Sequence, residues 1–80
     1  MATVEEITEI LKKNFSGGEI VVEDLTGTRD HFQATIAWDG FRGKTLMEQH
    51  RNVHDVLSEL LEDGRIHALK IKTRLLSGTG

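Results

Sequence analysis

Four histidines and no cysteine set the limits of any metal or redox chemistry in this chain. His67 lies in Arg65-Ile66-His67-Ala68-Leu69-Lys70-Ile71, at the entrance of a segment of alternating apolar residues, and is the first place to look for function. The plainer reading is a partly buried imidazole hydrogen-bonded at a strand end. His31 opens a second alternating segment and is the other candidate, set against the common case of a surface histidine at a strand edge. His50 and His54 are spaced i,i+4, which can put two imidazoles on one helical face and capture Zn or Ni adventitiously. Position 51 is Arg, so the pair is not the HExxH zinc-and-base set, and His50 falls on an apolar stripe and reads as packing. There is no cysteine nucleophile, no serine in a nucleophile-type turn and no phosphate loop running into Lys-Ser/Thr. The chain therefore reads as a non-enzyme.

These side chains need elements to hold them. Thr3 with Glu6 makes a capping-box start, and Val4, Ile7, Ile10 and Leu11 recur at helical spacing until Ser16-Gly17-Gly18, predicting a helix over roughly 3–15. Glu19 to Asp24 is short and β-branched. Phe32, Ala34, Ile36 and Trp38 then alternate with His31, Gln33, Thr35 and Ala37, so the two segments read as a hairpin joined by an exposed loop, Leu25 to Asp30. Plain alternation puts His31 opposite the Phe32 and Trp38 side chains, and a bend or bulge near Asp30 would be needed to bring it to His67. Leu46, His50, Val53, Leu57, Leu60 and Leu61 form one stripe of a long second helix that ends at Asp63-Gly64, with Arg51 and Asp55 spaced to pair on another side. A third strand, Ile66 to Thr73, puts His67, Leu69, Ile71 and Thr73 on one face. Two amphipathic helices over one face of a small mixed sheet satisfy every apolar stripe.

Eighty residues can enclose only one core, so a single α+β domain over residues 1–80 is expected, with 75–80 as a frayed tail. An acidic N-terminus and the absence of any run near the ~18 apolar residues of a membrane span predict a soluble, cytoplasmic protein. The net charge is −3 with acids and bases interspersed, so a nucleic-acid ligand would need a local basic patch. Gly40-Phe41-Arg42-Gly43 is literally a G-x-x-G, the loop by which KH domains clamp a nucleic-acid backbone; the plainer reading is a turn that re-aims the chain. Arg42, Lys44 and Arg51 are the candidates for contact with an acidic partner or a nucleic-acid backbone, against the commoner role of solvated charge.

Four segments together, His31-Phe32, Phe41-x-Gly43, Gln49-His50-Arg51-x-Val53 and Ile66-His67-Ala68-Leu69, resemble the BolA-like family over roughly residues 19–73, most of all its short-loop members similar to IbaG. The sequence departs from the family in the short Asp24–His31 loop, which lacks a cysteine or additional histidine. It departs again in Thr73-Arg74-Leu75-Leu76-Ser77, which replaces a Thr-x-x-Pro-x-x-Trp ending. The resemblance implies an α-β-β-α-α-β order, a three-stranded mixed sheet with helices on one face (a class II KH-like topology), and a short helical turn within residues 40–45. It also implies a partner of monothiol glutaredoxins in iron-sulfur handling, sharing a 2Fe-2S cluster in a heterodimer. His67 would be the ligand and His31 the second candidate, with thiolates from the glutaredoxin and from glutathione. Imidazole is a competent iron ligand, and replacing thiolate by it raises a cluster's potential. The isolated chain is then expected as a colourless monomer or weakly associating dimer, with no bound cofactor and no membrane contact. A KH-like nucleic-acid-binding or transcription-regulatory module is the alternative function.

Overall fold

The computed structural model describes residues 2–27 and 31–76. The element order is α1 (Val4–Asn14), β1 (Glu19–Asp24), β2 (His31–Ala37), a single 3-10 turn (Asp39–Phe41), α2 (Leu46–Val56), α3 (Ser58–Glu62) and β3 (Ala68–Arg74). Both long helices open with the same device. The Thr3 hydroxyl accepts from the Glu6 N–H while the Glu6 carboxylate accepts from the Thr3 N–H, and Thr45 and Glu48 repeat the exchange at the start of α2. Each box satisfies two backbone N–H groups that a helix start otherwise leaves to water. At Glu48 the bond from the Thr45 backbone N–H, with the Thr45 side chain, holds the carboxyl below its ordinary value.

The sheet order is β1-β2-β3, with β1 antiparallel and β3 parallel to the central β2. The predicted hairpin and mixed sheet are present. Burial alternates along β2: Phe32, Ala34 and Ile36 are buried against the helices, while His31, Gln33 and Thr35 stand half-buried on the open face. Ile7 and Leu11 of α1, Val22 of β1, and Val53, Leu57 and Leu60 of the second helical segment complete one core cluster. Fully burying one such Ile, Leu or Phe side chain stabilises by about 1.5–3 kcal/mol, so the central strand and its helical cover account for most of the hydrophobic stability.

Five details differ from the reading of the sequence. The stripe from Leu46 to Leu61 is not one helix: the chain breaks at Leu57, whose N–H is shared by the Val53 and His54 carbonyls. Leu46 is 62% exposed rather than part of the core, and lies instead at a groove shared with His50 and Ile71. Strand three begins at Ala68, since Ile66 is spent as a core anchor with its N–H donated to the Leu60 carbonyl. Leu75, expected in a frayed tail, packs against the core. Arg51 and Asp55, spaced to pair, do not form an ion pair, whereas Arg65 pairs with Glu6 and Asp63. The expected helical turn within 40–45 occurs at Asp39–Phe41. Among the described residues no helix is long and apolar enough to cross a membrane.

Candidate functional site

The end of the sheet where β2 and β3 both start carries the two candidate ligands. In the parallel register His31 lies opposite Ala68, and His67 immediately precedes Ala68. With strands about 4.8 Å apart, the two histidines are diagonal neighbours on adjoining chains.

His67 is positioned by a tight sequence of local constraints. Gly64 turns the chain with a φ of 82° as the left-handed cap predicted at the end of the second helical segment. Asp63 then accepts from the Arg65 backbone N–H (3.1 Å) and from its guanidinium (2.8 Å), and Arg65 also reaches Glu6 of α1 at 3.7 Å. The Arg65 backbone bond, followed by its side chain, holds the Asp63 carboxyl below its ordinary value. Ile66 is buried, and His67 emerges exposed before the ladder begins. It is therefore more exposed than Leu69 and Ile71, with which simple alternation groups it. It precedes the first residue of β3.

His31, the first residue of β2, is half-buried on the open face, and its Nδ1 is shielded from solvent. It lines a groove of about 320 Å3 with Leu25, Thr26, Ala68 and Lys70. The loop wall of that groove is held by Asp24, whose carboxylate accepts from the Thr26 and Gly27 N–H groups. Leu25 and Thr26 were not singled out from the sequence; their only signal was a place in the loop before a histidine. The bend or bulge considered near Asp30 lies outside the described residues.

The other candidates sit elsewhere. Arg42 and Lys44 are exposed beyond the far end of β2, a seven-residue strand away from His31 and so roughly 20 Å distant. Arg51 and His54 are exposed on α2, and His50 is half-buried between α2 and Ile71. No one ligand of modest size spans the histidine end and Arg42. Gln49 has a structural duty: its amide donates to the Lys44 carbonyl at 3.0 Å and its oxygen accepts from the Thr73 hydroxyl, tying α2 to the end of β3.

The G-x-x-G is explained by packing. A Cβ on Gly40 would lie 2.4 Å from Trp38 ring carbons, and Gly43 adopts a φ of 84° in the turn into α2. Between them Phe41 is buried, packed against Phe15 and edge-on to Trp38. The segment joins a 3-10 turn to one helix, not two α-helices as in a KH clamp.

The donor set suits part of a metal shell. Two imidazoles are at hand at the strand entrances, and the chain has no thiolate to add. Among the described residues no three His, Cys, Asp or Glu side chains group to hold a metal. Such a site fits the role of contributing one or two ligands to a centre completed by another molecule.

A small mixed sheet with helices on one face and a histidine ahead of its last strand defines the class, and the family follows. The chain belongs to the BolA-like protein family, whose sequence profile matches residues 6–75. An uncharacterised protein of Rickettsia prowazekii is 39% identical over 71 residues, covering 89% of this chain and 91% of that one. BolA-like protein 1 of Mus musculus is 36% identical over 69 residues, covering 86% of this chain but 46% of its own length. Among solved structures, BolA1 from Arabidopsis thaliana superposes with a TM-score of 0.86 at 30% identity, covering 100% of both chains.

Proposed function

We propose that this chain is a non-enzymatic adaptor that shares a 2Fe-2S cluster with a monothiol glutaredoxin, in iron-sulfur cluster assembly, trafficking or iron-status regulation in the cytoplasm. The observation that carries this reading is the parallel register that sets His67 one residue from the partner of His31, at the open start of two adjoining strands. His67 is the first ligand, being exposed and held from behind by buried Ile66. His31 is the second candidate, with its Nδ1 buried at the groove. The cluster is cargo: iron-bound thiolates come from the glutaredoxin cysteine and from glutathione, and an imidazole from this chain changes the net charge and potential of the shared centre. What the chain's own residues do is hold the imidazole at a fixed position and shape the surface around it.

The test mixes the purified chain with cluster-loaded glutaredoxin and glutathione and records visible absorption and circular dichroism. The expected result is a spectrum distinct from that of the glutaredoxin alone, lost or reverted in His67→Ala and changed less in His31→Ala. An unaltered holo-complex spectrum and cluster lifetime in His67→Ala overturns the ligand assignment. A stable 2Fe-2S chromophore in this chain alone overturns the division of ligands.

A further inference from the structure

The sheet has two open edges of opposite character. On the open face β1 presents Glu19 and Glu23, and β3 presents Lys70, Lys72 and Arg74. Among the described residues nothing pairs with the outer edge of β3, which runs for seven residues, or about 23 Å. A bare strand edge of this length is a ready template for another strand, and proteins ordinarily blunt or cover it.

The ground beside this edge is apolar. Leu46 and Met47, on the first turn of α2, are 62% and 74% exposed. Two grooves, of about 490 and 330 Å3, lie against them and share His50 and Ile71, so they form one trough between α2 and the strand. The larger groove is lined by residues of both faces of β3: Ile71 and Thr73 from the helix side, Lys72 and Arg74 from the open side. It therefore crosses the edge itself. No acid lines it; Asp55, in the smaller groove, is the only acid of the trough and stands beside Arg51.

We propose that the outer edge of β3 is a docking site for an extended acidic segment of a partner protein, which adds as a fourth strand. Its backbone completes the ladder, alternate carboxylates meet Lys70, Lys72 and Arg74, and the intervening apolar side chains lie over Ile71 toward Leu46 and Met47. A second copy is the poorer occupant. Two β3 edges related by a two-fold axis would oppose the lysines to one another, and pairing with the acidic β1 of another copy gives an open chain of molecules instead of a closed assembly. The site shares Lys70 with the His31 groove but makes no use of His31 or His67, so its peptide-binding test does not depend on the cluster reading.

The test uses the full chain and fluorescent octapeptides that alternate Glu or Asp with Val, Ile or Phe, read by anisotropy at low ionic strength. Saturable binding is expected, weakening as salt rises and falling roughly tenfold in the Lys70→Glu/Lys72→Glu double variant, whose changes are at exposed positions. Methylating alternate backbone nitrogens on the edge-pairing side of the peptide leaves its charge intact and is expected to abolish binding, as is rearranging the same residues into an acidic block followed by an apolar block. The proposal is overturned if no alternating peptide binds saturably, or if the methylated or block peptides bind equally, which would mean adsorption by charge alone. It is overturned too if light scattering shows concentration-dependent self-association that the double variant removes, which would make the occupant a second copy.

Discussion

Replacing Gly40 by Ala tests whether the G-x-x-G is a packing device or a clamp. The new Cβ would sit 2.4 Å from the Cη2 and Cζ2 atoms of Trp38 and 2.6 Å from Cε2, far inside van der Waals contact. The ring has little freedom to retreat. It packs edge-on to Phe15 at 5.0 Å and to Phe41 at 5.2 Å, and its indole N–H donates to the Ser16 carbonyl at 3.0 Å. Displacing it forfeits two aromatic pairs and a hydrogen bond, each of about 0.5–1.5 kcal/mol, so a loss of about 2–3 kcal/mol of stability is expected. Gly43→Ala meets no atom within 4 Å and is strained only by its positive φ, for a cost of about 1 kcal/mol. Trp38 is the only tryptophan, so urea unfolding followed by its fluorescence reports both stability and the ring's surroundings, with circular dichroism as a second probe. A Gly40→Ala protein as stable as the parent, with unshifted tryptophan emission, refutes the packing argument. So does a protein that keeps its stability but loses nucleic-acid affinity.

Other substitutions separate ligands from packing. His67→Ala removes an exposed side chain outside the ladder and is expected to change stability by no more than about 1 kcal/mol, whereas half-buried His50 is expected to cost about 1–2 kcal/mol while leaving the holo-complex spectrum alone; denaturant melts beside the dichroism measurements check both. Acid should act through the caps. The folded Glu48 carboxyl is held below its ordinary value of 4.5, so the stability it contributes is complete above that pH and is lost as pH falls through the lowered folded value; Glu48→Gln should flatten this part of the melting-temperature profile, and an identical profile would refute the linkage. Duplex DNA binding is expected to be weak and non-specific, with Kd about 10⁻⁴–10⁻⁶ M at physiological salt and a steep salt dependence. Arg42→Ala and Lys44→Ala are the fair test there, because Gly40 and Gly43 serve the fold. Tight sequence-dependent binding lost in those variants would instead favour a nucleic-acid module.

The elements were legible wherever local chemistry and periodicity agreed. Thr3 and Glu6 announced α1, and the alternation from Phe32 to Ile36 announced the central strand and its buried face. The same capping signature at Thr45 and Glu48 passed unread behind the more conspicuous glycines. The break at Leu57 was hidden because Val53, Leu57, Leu60 and Leu61 keep their helical spacing across it: a stripe reports which face is buried, not whether the backbone bonds run on. Leu46 fits the stripe but is exposed, a matter of where tertiary cover ends and not of residue type. For the site, the family resemblance pointed to His67 and, less directly, to His31, yet their adjacency depends on the parallel register of β2 and β3, which no local pattern carries. The wide separation of Arg42 and Lys44 from the histidines arises in the same way from strand direction.

That register also has a kinetic meaning. The β1–β2 pairing closes a short loop, but His31 meets Ala68 only after the chain from 31 to 68, with both later helices, has been laid across the sheet. Contacts spanning such a length form late, because the entropy of closing the loop is lost before the pairing repays it. The histidine end is thus completed only by the long-range pairing of β2 with β3 and belongs to the globally folded state. A ligand held by both imidazoles would bind the native chain alone, and its affinity would be added to the stability of the whole fold. A destabilising substitution far away, at Val53 or Phe41, would then weaken the occupied site by depleting the folded population, with no change at either histidine.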